Sequence, residues 1–392
     1  SWGLLEAAHP PVLAALQRDW EGPILVLAAQ PEQARSLQEQ VSLWSANPAS
    51  SLYFPAPDAL FYDRTPWDGE TIQRRGAVLS TLVNEDYDQW PIIFTSVWAL
   101  MTLTVPPSLL RPGIRVLRVG ETVRLSQLLD DLVAYAYEPV SVVEEPGTFS
   151  QRGGILDIYP PNAAQPVRIE WFADEIESIR AFDPLTQRSA QKLEAITLYP
   201  ASEALPRYSR GDPCGRPAAL LCLPDLDHEQ DGLSASRLQR DRECLDRGQY
   251  FRGMEFYLPC LYPRPATLLD YLSANALVVI ADFPAVAAGA ETLEAQATDL
   301  RAELLEQKQL PPDFPAPYKP WSELQRSLAS LAGVSLGYHV QAGLARYEED
   351  TAFHIAPNYS GRIQQLIEDC LRFKAEGPVS YTHLTLPTNR EV

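Results

Sequence analysis

The stretch 24-ILVLAAQPEQARSLQEQVSLW-44 decides the first prediction about the fold. Its five apolar residues Ile24–Ala28 have the length of a buried β-strand. Pro31 follows at a position that suits the first turn of a helix, and Val41 and Trp44 then fall on one helical face. The stretch therefore predicts a buried strand that leads directly into an amphipathic helix.

The same alternation of strand and helix extends on both sides of this stretch. Further strands are predicted at Ser51–Phe54, Ile92–Thr95 and Leu277–Ala281, with a helix at Thr71–Leu82 between the first two of them. Strands that alternate with helices are typical of a parallel sheet covered on both faces. Because one buried strand comes as late as Leu277–Ala281, we expect the chain to leave this sheet and to rejoin it. The predicted class is α/β.

From about residue 114 the pattern changes to short segments in which apolar and polar residues alternate. Turn residues separate these segments, which are Val140–Val143, Gly154–Tyr159, Val167–Phe172 and Ile176–Phe182. A helix is predicted just before them, at Leu125–Ala134. Alternation with a period of two predicts a small antiparallel sheet. We therefore expect a small α+β domain inserted into the parallel sheet.

The composition argues against several classes of function. The formal net charge is −19 and no region is basic, so direct binding to nucleic-acid phosphates is disfavoured. No apolar run approaches the roughly 18 residues of a membrane span, and we expect no secretory leader in this sequence. The five cysteines show no C-x-x-C spacing. We therefore predict neither a zinc site nor a disulfide framework, and free thiols suited to a reducing cytoplasm.

A phosphate-binding loop is missing from the sequence. The motif G-x-x-x-x-G-K-[ST] needs a Gly-Lys pair, and none occurs in the 392 residues. The stretch 3-GLLEAAHP-10, where the loop is expected, has one glycine, no lysine and the anionic Glu6. Asp282 closes the late strand without a following glutamate, and we interpret it as a helix cap. We therefore predict no catalytic residues, no metal and no bound cofactor in this chain.

The segment Val167–Phe172 offers the most informative surface. A period of two places Arg168, Glu170 and Phe172 on the face opposite the core-like residues. Arg152, just before a Gly-Gly turn, can join them. An exposed aromatic ring beside arginine is typical of protein-binding hot spots. The alternative is a cross-strand salt bridge from Arg168 to Glu170 or a neighbour, with Phe172 packed under a loop.

Several separated motifs resemble one known family. They are Phe61–Arg64, Gln151–Pro160, Arg168–Arg180, Phe182–Arg188, Phe251–Pro259 and Ala266–Tyr271. In this order they resemble the N-terminal module of the bacterial transcription-repair coupling factors, a module that is itself similar to the excinuclease protein UvrB. The resemblance implies a degenerate helicase-like parallel sheet of the P-loop NTPase type. It also implies an inserted domain that recruits the UvrA subunit of the excinuclease, with Arg152, Arg168 and Phe172 at the contact positions.

The resemblance also implies how residues 1–379 are divided, and the tail is set apart because its sequence fits nothing before it. The predicted parts are a helicase-like domain in two pieces (1–113 and 201–335), the inserted docking domain (114–200), a linker (336–350), a truncated third domain (351–379) and an artefactual tail (380–392). We expect the chain to be a fragment. ATP, RNA polymerase and DNA are then expected to bind only the missing domains of the parent protein.

Two other functions remain open from the sequence. One is a nucleotide-dependent helicase or UvrB-like damage verifier with an unusual nucleotide site. The other is a structural role, in which the face that carries Phe172 packs against other domains of the parent protein. We expect no membrane partner for either function.

Overall fold

The computed structural model describes residues 4, 6–84, 89–206, 233–336, 367–369 and 371–372. The chain divides into two units, Ser1–Tyr347 and Glu348–Val392. The predicted linker (336–350) and third domain (351–379) lie largely outside the described residues, and the tail (380–392) lies wholly outside them. All findings below concern the first unit.

The first unit contains helices and strands in mixed order. The helices are α1 His9–Asp19, α2 Pro31–Trp44, α3 Gly69–Asn84, α4 Val97–Met101, α5 Pro107–Leu110, α6 Leu125–Ala134, α7 Leu233–Arg247, α8 Leu258–Leu261, α9 Phe283–Glu306 and α10 Trp321–Leu328. The strands are β1 Ile24–Ala28, β2 Ser51–Phe54, β3 Ile92–Ser96, β4 Arg115–Arg118, β5 Glu138–Pro139, β6 Thr148–Arg152, β7 Ile155–Tyr159, β8 Val167–Phe172, β9 Glu175–Phe182, β10 Ser189–Leu193, β11 Ala195–Leu198, β12 Leu277–Ile280 and β13 Ala332–Ser335. Short 3-10 helices lie at Glu6–Ala8, Pro48–Ser50, Arg111–Gly113, Met254–Tyr257 and Leu268–Tyr271.

A five-stranded parallel sheet has the strand order β13-β12-β1-β3-β2. Its central strand β1 is buried throughout. Leu25 and Leu27 of that strand pack into one apolar cluster, whereas Ile24 and Val26 pack into another. Because neighbouring residues of a strand point to opposite faces, the sheet is covered on both sides. The late strand β12 pairs with β1, so the chain does rejoin this sheet.

Two helices that follow strands of this sheet test the sequence predictions. The Asp282 carboxylate accepts a hydrogen bond of 3.0 Å from the backbone of Ala285 and begins α9, as predicted. In α2, by contrast, Ala34 and Val41 are buried but Trp44 is 64% exposed. The prediction that Trp44 belongs to the buried face is therefore wrong: the core covers Val41 in the last turn of α2 but does not extend to Trp44.

A six-stranded sheet, order β10-β9-β8-β7-β6-β5, is antiparallel except for the short β5–β6 pair. A third, two-stranded sheet pairs β4 with β11 antiparallel. The mixed α/β class, with a parallel sheet and a mainly antiparallel sheet, is thereby confirmed. The predicted strand Val140–Val143 is wrong: the strand there is Glu138–Pro139, and the chain leaves the sheet after a last backbone hydrogen bond of 2.8 Å from Val140 to the Phe149 carbonyl. The sequence pattern also missed β6, whose burial alternates only weakly.

A buried ion pair joins α3 to the segment that follows β11. Arg75 is fully buried, and its Nε and Nη2 donate to the two carboxylate oxygens of Glu203 at 2.5 and 2.9 Å. Its third nitrogen donates to the Pro55 carbonyl at 3.1 Å. The guanidinium also lies 4.1 Å from the Phe54 ring centroid and 4.9 Å from that of Trp67. This arrangement satisfies a buried cation with both charge and hydrogen bonds, as burial requires.

Of the two cysteines that the structure describes, one departs from the prediction. Cys244 carries a free thiol, whereas Cys260 is disulfide-bonded. The prediction of free thiols is therefore wrong for Cys260.

Candidate protein-docking site

Two tight hairpins stand side by side at one end of the antiparallel sheet. Arg152 and Ile155 close the first around Gly153-Gly154, and Phe172 and Glu175 close the second around Ala173-Asp174. The first turn residue of each has a positive φ, 62° at Gly153 and 53° at Ala173, as two-residue hairpin turns require. Because β7 pairs with β8, the two hairpins are neighbours.

The pairing register puts the four predicted site residues on one face. Residues that oppose each other in an antiparallel sheet point to the same side. One row across the strands contains Arg152, Ile155, Glu170 and Ser178, and the next contains Ser150, Asp157, Arg168 and Arg180. Phe172 lies two residues beyond Glu170 on the same strand and so shares this side. We call this side the docking face.

Phe172 is the most exposed ring on the docking face. Its side chain is 75% exposed, while its strand neighbour Trp171 is buried and donates its indole N–H to the Val123 carbonyl at 2.9 Å. Burying a Phe ring releases on the order of 2 kcal/mol, so an exposed one favours a partner that covers it. The alternative in which Phe172 packs under a loop is not what the structure contains.

Arg168 is held by a neighbouring strand. Its Nε and Nη2 donate to the two oxygens of the Asp157 carboxylate at 2.6 and 2.8 Å, and its guanidinium lies 5.2 Å from the Phe182 ring centroid. The side chain of Arg168 is 24% exposed and that of Asp157 only 7%. The hydrogen bonds to Asp157 raise the pKa of the Arg168 guanidinium. A cross-strand salt bridge, the alternative considered for this residue, is thus present, with Asp157 as its acid.

Glu170 makes its contacts within the sheet. Its carboxylate accepts a hydrogen bond from the Ser178 hydroxyl at 2.6 Å and lies 3.5 Å from the Arg180 guanidinium. Arg180 directly opposes Arg168 in the register, and like charges in that position repel. Asp157 pairs with Arg168 and Glu170 pairs with Arg180, so each of the two opposed cations has an acidic partner.

Residues 140–143, here called the strap, cross part of the docking face. The Ser141 carbonyl accepts hydrogen bonds from the Arg152 guanidinium at 2.7 Å and from the Ser150 hydroxyl at 3.2 Å. At the other end, the Val143 carbonyl accepts from the Gln187 side chain at 3.2 Å. Val143 and Phe182 are both buried. The strap therefore reaches from Arg152 at the first hairpin to Gln187, and it leaves the Phe172 ring exposed.

The sequence did not identify Asp157, Ser141 or the strap as parts of the site. Asp157 occupies a position where alternation predicts a residue that faces away from the core, and its pairing with Arg168 depends on the register between strands. That register follows from the hydrophobic pattern of both strands and from the connection between them, residues 160–166. The strap resembled a strand because it contains three valines, but only Val143 is buried, whereas Val142 is exposed.

No ion-binding centre or membrane span is found in the part of the chain that the structure describes. No group of three or more His, Cys, Asp or Glu side chains there is arranged to hold a metal ion. No described helix is long and apolar enough to cross a membrane.

Comparisons with known proteins place this region in the context of a family. Residues 116–203 match the family model described as the UvrB interaction domain. The transcription-repair-coupling factor of Bacillus subtilis is 29% identical over 311 residues, which are 78% of this chain and 26% of that protein. That of Myxococcus xanthus is 31% identical over 72% of this chain and 24% of its own length, and that of Escherichia coli 27% over 70% and 23%. The resemblance to the transcription-repair coupling factors is confirmed.

The chain spans about a quarter of the length of these transcription-repair-coupling factors. All four predicted site residues, Arg152, Arg168, Glu170 and Phe172, lie within the region similar to the UvrB interaction domain.

Proposed function

We propose that this chain is a docking module of a transcription-coupled DNA-repair factor and that its docking face recruits the UvrA subunit of the excinuclease. The observation that carries the proposal is the 75% exposed ring of Phe172 on the same face as the Arg152 and Arg168 guanidinium groups. The similarity to the UvrB interaction domain and to transcription-repair-coupling factors supports the choice of partner.

The chemistry of the face fits a protein partner. Aromatic rings and arginine are enriched at the centres of protein interfaces, where they contribute most of the binding energy. Phe172 supplies an apolar contact, and exposed Arg152 and partly exposed Arg168 supply hydrogen-bond donors around it. Glu170 contributes by balancing charge, since its carboxylate is engaged with Ser178 and Arg180.

We also propose that the parallel sheet is a degenerate helicase-like domain without catalytic activity. The support is the sequence, which has no Gly-Lys pair for a phosphate loop. In this account ATP hydrolysis, DNA translocation and polymerase contact belong to other domains of the parent protein. Those domains are also proposed to regulate access to the docking face.

The proposal is tested by calorimetric titration of the purified chain with UvrA. We expect Phe172→Ala to weaken binding by about 2 kcal/mol, which is roughly thirtyfold in Kd. Trp44→Ala is the matched control, because Trp44 is a 64% exposed aromatic residue on α2, away from the docking face. Equal affinities of the wild type and Phe172→Ala, or equal losses in the two variants, would refute the proposal.

A further inference from the structure

We infer that Asp157 is a positioning residue for docking: it holds the Arg168 guanidinium so that the remaining nitrogen, Nη1, meets an oxygen acceptor of the partner protein. The inference rests on the proposed function of the docking face. Asp157 itself is 7% exposed and does not touch the partner in this account.

The geometry of the pair leaves one edge of the guanidinium available. A guanidinium presents five N–H donors in a planar fork. Asp157 accepts from Nε and Nη2 of Arg168, and among the described residues Nη1 has no partner. The 24% exposed fraction of the side chain keeps part of the group in contact with solvent. A partner that approaches the docking face therefore meets donors whose direction is already fixed.

The sheet fixes Asp157 as firmly as it fixes Arg168. The two residues are direct cross-strand partners on β7 and β8, so the ion pair depends on no loop. Phe182, at 5.2 Å from the guanidinium, limits movement toward the sheet. Side chains that are ordered before binding lose less conformational entropy when they bind. A buried carboxylate that accepts two hydrogen bonds therefore lowers the entropic cost of binding through an interface arginine.

The like charge on the neighbouring strand makes this carboxylate necessary. Arg180 opposes Arg168 directly. Without Asp157, repulsion from Arg180 and the loss of two hydrogen bonds would release the Arg168 guanidinium into several rotamers. Arg152 shows the same principle on the same face, because its guanidinium is held by the Ser141 carbonyl.

The experiment is a set of titrations with UvrA in which Asp157→Asn is made in three backgrounds. In the wild type and in Phe172→Ala we expect Asp157→Asn to weaken binding about tenfold, because it frees the Arg168 guanidinium, whose contact is independent of the Phe172 ring. In the Arg168→Ala background we expect Asp157→Asn to change Kd less than about twofold, because the group it positions is already gone.

Urea unfolding of each variant separates positioning from a purely structural role. The double variant Asp157→Asn, Arg168→Ala lacks the unpaired buried carboxylate, so it should regain stability over Arg168→Ala while its binding stays weak. An unchanged Kd in Asp157→Asn, or the same loss in the Arg168→Ala background as in the wild type, would overturn the inference. If the inference fails in this way but Phe172→Ala still weakens binding, the proposed function remains supported. A wild-type chain that does not bind UvrA at all would overturn both.

Discussion

Arg168 and Asp157 face each other across two strands of the antiparallel sheet, joined by hydrogen bonds of 2.6 and 2.8 Å. The residue proposed to contact a partner is thus also part of the sheet's own charge balance. A loss of binding in an Arg168 variant therefore has two possible origins, a lost contact and a weakened fold, and stability must be measured beside affinity.

The first prediction concerns that stability. Arg168→Ala leaves the Asp157 carboxylate, whose side chain is 7% exposed, without its partner. We expect the free energy of unfolding to fall by about 2 kcal/mol, because a desolvated charge without a counter-ion is costly. Adding Asp157→Asn should recover about half of the loss. Urea denaturation measures both, and a double variant less stable than Arg168→Ala would contradict this explanation.

The second prediction compares two neighbouring arginines of α3. Arg75 is fully buried against Glu203, whereas Arg74 makes an exposed ion pair with Glu70 one turn away. We expect Arg75→Ala to lower the free energy of unfolding by about 4 kcal/mol, since it leaves Glu203 buried without a cation. Arg74→Ala should change it by less than about 0.5 kcal/mol. Similar values for the two variants in chemical denaturation would show that burial of the Arg75 pair does not matter.

The third prediction concerns the pH dependence of stability. Burial raises the pKa of the Glu255 carboxyl; its Oε1 accepts from Ser202 and Tyr250, and its Oε2 has no hydrogen-bond partner among the described residues. An acid whose folded pKa lies above its unfolded value contributes stability at low pH, and that contribution is lost as the pH rises through the folded pKa. Glu255→Gln cannot ionise.

We therefore expect Glu255→Gln to gain stability relative to the wild type as the pH rises from 4.5, the ordinary pKa of a glutamate carboxyl, to neutral pH. Urea denaturation of both proteins across this range gives the difference in unfolding free energy at each pH. A difference that stays constant, or that falls with rising pH, would show that this carboxyl is ionised in the folded protein throughout.

The fourth prediction concerns nucleotide. Because the sequence has no Gly-Lys pair to cradle phosphate, we expect no saturable binding when a fluorescent ATP analogue is titrated into the chain, and no phosphate release. Saturable binding that excess ATP displaces would support the alternative of a nucleotide-dependent helicase or damage verifier.

The sequence predicted those parts of the molecule that depend on local pattern. The continuous apolar run of β1 identified a strand buried on both faces, and the alternation in β8 placed Arg168, Glu170 and Phe172 together on the opposite side from Ile169. Both inferences need only the side-chain periods of a strand.

The remaining features depend on contacts between distant segments. The ion pair of Arg168 with Asp157 follows from the register of β7 against β8, which a single strand does not reveal. The strap was mistaken for a strand because Val140 and Val143 are apolar, yet Val143 is buried by crossing the sheet. The exposure of Trp44 depends on where the core ends beneath α2.

The location of the docking face is tested most directly by hydrogen–deuterium exchange of the chain with and without UvrA. Backbone amides at the tips of hairpins and in strands exchange through local opening, which a bound partner suppresses. We predict slower exchange at the two hairpins, residues 151–156 and 170–176, and unchanged exchange in α2. Exchange that is unchanged at both hairpins on a saturating complex, or slowed only elsewhere, would contradict the account.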